Sequence, residues 1–242
     1  MEKFKQDIYI KSYECDSYGF LRIRSLFNFF QDIADKNASF LGIGYEYCQQ
    51  HHVGWISGGY HVRINKMPRW NQTVCLTTWP SKAQGATAYR EFVLTDGQTG
   101  SVLIQASSQW VLLDTNRQRP TSVIPHLAHC EPIAERCVDT VFPKLPVLNR
   151  IDYTQNEIIR TDDIDLNQHV NNAVYPSWIY DTLPTQFLEN HTLSELQIQY
   201  KYPAHIKDKI IVQTQIDNKQ GLHLITNDDK TIEYVRICTV WR

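Results

Sequence analysis

The chain has 242 residues, 42 % of them apolar and 21 % charged, with 24 basic against 26 acidic side chains and a formal net charge of -2. That composition supports a buried core, excludes a wholly disordered chain, and gives no basic field that would mark nucleic acid as a main partner. At about 150 residues per domain, the length falls between one large domain and two small ones.

The start of the chain, Met1-Glu2-Lys3-Phe4-Lys5-Gln6-Asp7, places charges where a secretory signal would be apolar, which predicts a cytoplasmic protein. The longest apolar runs, such as Trp110 to Leu113, reach four residues, against the roughly 18 that a membrane span needs. From there the first part reads as a strand (8–13), an acidic turn, a helix over about 22–41, and strands near 55–64, 73–79, 88–95 and 101–114. In the helix, Ile23, Leu26, Phe27, Phe30, Ile33, Ala34 and Leu41 form one stripe, and Phe29, Ala38 and Phe40 widen it. A helix so apolar is expected to be wrapped by the sheet that follows it.

Prolines 120, 125, 132, 143 and 146 then crowd one stretch. Proline lacks a backbone donor and does not sit inside helices or central strands, so this stretch reads as a connector. The expected organisation is an N-terminal domain over 1–119, a linker over 120–148 and a C-terminal domain over 149–242. The second part repeats the order of the first: a strand (157–160), an acidic turn, a helix over about 171–187, and strands near 196–202, 209–216, 222–226 and 231–241. Two offsets align the parts. Glu14-x-Asp16-x-Tyr18-x-Phe20 lies 149 residues before Asp163-x-Asp165-x-Asn167-x-His169, and Tyr60-x-Val62-x-Ile64 lies 136 before Leu196-x-Ile198-x-Tyr200. One helix wrapped by an antiparallel sheet, twice, predicts an α+β fold of the tandem double hot-dog kind.

Six cysteines at 15, 48, 75, 130, 137 and 238 form no CxxC pair and read as reduced thiols. His126, His129, Cys130 and Cys137 carry zinc-binding chemistry, but their spacing matches no standard site. We expect no metal and no cofactor.

Arg160 to Asn172 is the densest run of reactive side chains. Asp165, Asn167 and His169 alternate, so on an extended chain they share one face. His169 suits proton transfer from water, because imidazoles titrate near neutrality. Asn167 suits orienting a carbonyl or a water, and Asp165 suits orienting the imidazole or acting as nucleophile or base. Backbone N–H groups at Asn171 and Asn172, at the helix start, suit an oxyanion. An ordinary turn uses the same residue types. A calcium loop is excluded, because its sixth position is Gln168 rather than Gly and its twelfth is Val174 rather than Glu. Tyr18 and Phe20, standing where the second part has Asn167 and His169, suggest that chemistry resides in one half only.

The stretch Asp163-Ile-Asp-Leu-Asn-Gln-His-Val-Asn-Asn-Ala-Val-Tyr175 resembles the signature of the acyl-acyl carrier protein thioesterases. Pro68-Arg69-Trp70-Asn71, Thr78-Trp79 and Ala106-Ser-Ser-Gln-Trp110-Val111 resemble the family's first half. The resemblance implies a double hot-dog enzyme that hydrolyses the thioester between a fatty acyl chain and the phosphopantetheine arm of acyl carrier protein, releasing free fatty acid. It assigns catalysis to Asp165, Asn167 and His169 and an acyl pocket to the first half, where Trp55, Phe27 and Phe30 are candidates. The carrier is acidic, so Arg63, Lys66 and Arg69 are candidates for docking it. A homodimer is left open. Two positions depart from the plant pattern: the family's catalytic Glu falls on Pro203, and a family Lys falls on Val174. Either Asp165 and His169 suffice, or another acid such as Glu157 substitutes, or the alignment slips there. An acyl-CoA thioesterase and a non-catalytic acyl-binding module remain the alternatives.

Overall fold

The computed structural model describes residues 2–128 and 130–242. It divides into two compact units, Met1–Phe142 and Pro143–Arg242. In the first, β1 (Phe4–Tyr9) precedes a long helix α1 (Ile23–Phe40) and a short helix α2 (Tyr45–Gln50). Strands β2 (Val53–Ile64), β3 (Thr73–Gln84), β4 (Thr87–Asp96), β5 (Val102–Asp114) and the two-residue β6 (Arg119–Pro120) follow. The strands are antiparallel in the order β1-β3-β4-β5-β2, with β6 on the end of β5.

The second unit contains β7 (Tyr153–Ile158), helices α3 (Tyr175–Thr182) and α4 (Thr185–Asn190), and strands β8 (Leu193–Tyr200), β9 (Lys209–Asp217), β10 (Gln220–Asn227) and β11 (Glu233–Trp241). Its order, β7-β9-β10-β11-β8, is the order of the first unit. The register agrees as well. Phe4 faces Thr78 in one unit and Tyr153 faces Thr214 in the other, so both sequence offsets hold residue for residue along the edge strand. The fold is α+β, a helix against an antiparallel sheet in each unit, as the double hot-dog reading predicts.

Packing follows the apolar pattern. Ile23, Leu26, Phe27, Phe30, Ile33 and Ala34 turn one face of α1 inward. Phe27 and Phe30 meet Tyr60 and Phe92 in a closed ring cluster with centroids 4.7–6.2 Å apart, a geometry that adds to simple area burial. Phe40 lies outside the stripe and is exposed. In the second unit Tyr175, Trp178 and Ile179 are the buried face of α3.

The second helix departs from expectation. Instead of one helix over 171–187, α3 begins at Tyr175 with Pro176 in its first turn and ends at Thr182. Pro184 disfavours the helical conformation in the residue before it. Leu183 accordingly sits at φ -82°, ψ 143°, and Pro184 caps the separate α4. The edge strands β1 and β7 begin about four residues earlier than the sequence suggests, because an edge strand with one half-buried face shows little apolar alternation. No helix among the described residues is long and apolar enough to cross a membrane.

The proline-rich stretch is irregular, yet much of it is strapped onto the first unit. Ile133 donates its N–H to Pro80 O at 2.9 Å, and the Trp79 indole donates to Glu135 O at 2.9 Å. The strap is fixed by Glu91, a fully buried carboxylate on β4. Its oxygens accept from the Ser81 hydroxyl at 2.6 Å, the Ser107 hydroxyl and the Cys137 N–H at 2.9 Å, and Arg136 Nε lies 2.7 Å away. A buried carboxyl group needs such partners to offset its desolvation. Glu91→Ala therefore leaves Arg136 Nε, the Ser81 hydroxyl and the Cys137 N–H without their carboxylate partner around a void, while Ser107 and Arg136 Nη2 keep Val138 O and Thr140 O. It is expected to cost about 3–5 kcal/mol, read as a fall in urea midpoint, and to open the 133–138 strap to limited proteolysis before the rest of the unit.

Candidate active site

The acidic turn ahead of each helix is built the same way in both units. In the second, Ile164 and Val170 form an isolated antiparallel bridge. Between them the chain reverses, with Asp165 N donating to His169 O at 2.8 Å and Gln168 N to Asp165 O at 3.0 Å. Gln168 takes a left-handed φ of 63°. Asp165 Oδ1 accepts the N–H groups of Asn167 at 2.8 Å and His169 at 3.2 Å. In the first unit, Asp16 Oδ1 accepts from Tyr18 and Phe20 at 2.9 Å each, and Gly19 takes φ 78°.

This turn is not the extended segment that alternation predicts. The carboxylate cap and the left-handed residue fold it into a loop. Asp165 is half-buried, with one oxygen engaged by the loop backbone. Asn167 is exposed at the tip beside Leu166, which is 96 % exposed. His169 is half-buried. Its ring meets the ring of His205 at 5.0 Å between centroids and 83° between planes. The neighbouring backbones are joined too, Val170 N donating to Ala204 O at 2.8 Å. Below them the Tyr175 hydroxyl accepts from Ala204 N at 3.1 Å, and burial pushes that phenol above its ordinary range.

Asn171 and Asn172 divide. The Asn171 N–H is engaged by Asp163 O at 2.8 Å, so it is not free for an oxyanion. Its side chain instead caps the next turn through Ala173 N at 2.8 Å. The carbonyl of Asn172 accepts the Tyr200 hydroxyl at 2.9 Å, and its N–H, in the turn two residues ahead of the Val174 cap and not at the helix start, is the remaining candidate. The other named residues lie in the first unit. Phe27 and Phe30 are fully buried in the ring cluster. Trp55 is half-buried in a separate group with Cys48, Val53, Leu112 and Val123. Arg63, Lys66 and Arg69 are exposed at the end of β2 and in the loop beyond it, and Arg69 stacks 4.4 Å over Phe20. Of the cluster considered for zinc, His126 Nδ1 pairs with the Tyr47 hydroxyl at 3.0 Å, and His129 lies outside the described residues. No group of three candidate metal ligands is found among the described residues.

With this geometry in hand, two family models match the chain: the acyl-ACP thioesterase N-terminal domain over residues 1–130 and the C-terminal domain over 150–242. The chain belongs to the acyl-ACP thioesterase family. It is 27 % identical over 259 residues to an acyl-[acyl-carrier-protein] hydrolase, chloroplastic, from Cuphea viscosissima, with 99 % of this chain and 62 % of the relative covered. It is 30 % identical over 213 residues to the dodecanoyl-[acyl-carrier-protein] hydrolase of Umbellularia californica, covering 82 % of this chain and 55 % of the relative. The solved 12:0-ACP thioesterase of Umbellularia californica superposes with a TM-score of 0.87 at 25 % identity, covering 99 % of this chain and 97 % of that one. The chain thus spans about three-fifths of the length of the first curated relatives it matches.

Sequence reasoning did not bring His205 beside His169. Reading for a glutamate after Tyr200 ends at Pro203, whereas the ring that meets His169 comes two residues later. Glu157, named as a substitute acid, lies on β7. There it occupies the inward position that Ile8 holds in the first unit, by the shared register. Burial, reinforced by Asp181 and Asp163 and opposed by Arg160, pushes its carboxyl up to about 7, and Oε1 has no hydrogen-bond partner among the described residues. The folded protein therefore holds this proton more tightly than the unfolded chain. The stability it contributes is complete below about pH 4.5 and is lost as pH rises through 7. Urea midpoints are expected to fall between pH 5 and pH 8, and Glu157→Gln is expected to flatten that fall and raise the midpoint at pH 8.

Proposed function

We propose that this chain hydrolyses fatty acyl thioesters of acyl carrier protein, with the Asp165–His169 loop as its reacting centre. The observation that carries the reading is the match of both family models along the chain, with the Asp165-x-Asn167-x-His169 run on the loop ahead of α3 in the second unit. The first unit keeps the same loop with Tyr18 and Phe20 in place of the amide and the imidazole. The loop itself therefore needs only the aspartate, and Asn167 and His169 are additions to it.

In this mechanism His169 takes a proton from a water molecule as the water oxygen bonds to the thioester carbonyl carbon. Asn167, at the exposed tip, holds the water or the carbonyl through its amide. The N–H of Asn172 faces the oxyanion of the tetrahedral intermediate. Collapse breaks the carbon–sulfur bond, and the imidazolium returns its proton to the departing phosphopantetheine sulfur, giving free acid and thiol. Asp165 holds the loop with Oδ1, which leaves Oδ2 to act on the water or the His169 ring. Trp55, half-buried, is the one of the three pocket candidates that an acyl chain reaches without opening the ring cluster of Phe27 and Phe30. Lys66 and Arg69 supply local positive charge for an acidic carrier on a chain whose net charge is near zero.

Steady-state hydrolysis of one long-chain acyl carrier protein thioester and the matching acyl-CoA tests the reading. His169→Ala is expected to lower kcat by about 10²–10⁴-fold with an unchanged melting temperature. Asp165→Asn keeps an oxygen for both loop N–H groups, so it is expected to lose turnover without losing stability. Asp165→Ala is expected to lose turnover and about 0.5–2 kcal/mol of stability, as for a removed helix cap. Near-wild-type rates in His169→Ala and Asp165→Asn would sink the assignment. In the same assay, Lys66→Glu is expected to raise KM for the carrier-protein substrate and leave KM for acyl-CoA unchanged; equal effects on both would refute the docking role.

A further inference from the structure

The structure leaves the imidazole of His169 without the partner that the sequence suggests for it. Asp165 spends Oδ1 on two backbone N–H groups, and no hydrogen bond to the His169 ring is present among the described residues. A base that must meet water in one orientation needs a third group to set its ring. The only ring against it among the described residues is that of His205.

His205 is itself firmly placed although its side chain is 55 % exposed. It opens a tight turn in which Asp208 N donates to His205 O at 2.9 Å. Asp208 Oδ2 accepts His205 N at 2.8 Å and the Tyr234 hydroxyl at 3.0 Å, and His205 Nδ1 lies 3.7 Å from the same oxygen. One carboxylate oxygen thus ties the His205 backbone to β11, with the His205 ring beside it. The preceding residue, Ala204, is fixed through both its N–H and its carbonyl.

The internal repeat supplies an independent comparison. By the two offsets, His169 corresponds to Phe20 and His205 to Arg69. Those two make the same kind of contact, a guanidinium 4.4 Å over the phenyl ring, beside an isolated bridge between the two residues. The fold therefore brings these two positions face to face in both units. Only in the unit that also carries Asn167 are both of them imidazoles.

We propose that His205, anchored by Asp208 and Tyr234, is a positioning residue for His169: its ring packs edge to face on the His169 imidazole and sets the orientation in which that imidazole meets the attacking water. The proposal rests on the thioesterase reading above. Its position two residues beyond Pro203 means that the loop between β8 and β9 contributes to the centre through a packed ring instead of a carboxylate.

The test compares His205→Ala, His205→Phe and His169→Ala, each first shown by its melting curve to be folded. With the long-chain acyl carrier protein substrate, His205→Ala is expected to lower kcat about five- to tenfold, the scale of one lost aromatic pair, with KM within about twofold of wild type. His205→Phe, which keeps a ring in place, is expected to recover most of that loss. An unchanged kcat in His205→Ala overturns the proposal, as does a rise in KM alone. Failure of His205→Phe to recover kcat also overturns it, because the imidazole would then act by proton chemistry. If His169→Ala retains wild-type turnover, the thioesterase centre itself is refuted. A readout free of turnover separates the two failures: the carbon-bound proton resonances of His169 are expected to shift in His205→Ala and to stay ring-shifted in His205→Phe, and an unmoved resonance in His205→Ala overturns the packing.

Discussion

One carboxylate oxygen organises the candidate site. Asp165 Oδ1 closes a loop by accepting the N–H groups of Asn167 and His169, and Asp16 does the same for Tyr18 and Phe20. A half-buried N–H such as that of His169 is costly to leave unbonded, and the aspartate at the loop entrance satisfies it together with the exposed one of Asn167. Everything downstream is placed by that closure: the direction in which His169 leaves the loop, the engagement of Asn171 by Asp163, and the start of α3. In the first unit Arg22 N donates to Glu14 O as Asn171 N does to Asp163 O, and Leu21 N to Pro68 O as Val170 N does to Ala204 O. The scaffold is common to both units, and Asn167 and His169 stand at two of its positions in one of them.

Much of this was legible in the sequence. Long strands with clear alternation, such as β2, β5 and β11, and the stripe on α1 announce themselves through periodicity. The doubled architecture follows from two offsets that the structure reproduces in its strand register. What stayed hidden has physical reasons. The second helix breaks at Leu183 because a proline constrains its neighbour, an effect that a tolerant reading of an apolar stripe passes over. The loop geometry was misread because an alternating pattern does not disclose a left-handed Gln168, which no composition rule marks. His205 was invisible for a different cause: its contact with His169 spans 36 residues of sequence and is created by the backbone bond between Val170 and Ala204.

The proline-rich stretch shows how burial changes the meaning of a linker. By composition it is a connector, and by hydrogen bonding its middle is part of the first unit. Glu91 sits fully buried on β4 and draws in Cys137 and Arg136, while Trp79 and Pro80 hold Glu135 and Ile133. Prolines exclude regular structure there, but they leave carbonyls and the remaining N–H groups free to bond to side chains and strand ends. A segment without secondary structure of its own is thus held by a buried ionic centre.

The identity of the left-handed residue in each loop has an evolutionary reading. Gly19 adopts its positive φ at little cost, whereas Gln168 in the equivalent place carries the strain of a side chain in that region. The half that retains the relaxed residue is the half without Asn and His, and the half with the reactive residues tolerates the strained one. Because the backbone path is shared, replacing Tyr18 and Phe20 with Asn and His would install the same pair of side chains on the first unit without rebuilding its loop. What such a graft would lack is an aromatic ring at position 69, where the guanidinium now lies. The duplicated chain therefore holds a spare frame, one loop already shaped for chemistry and filled with side chains of another kind.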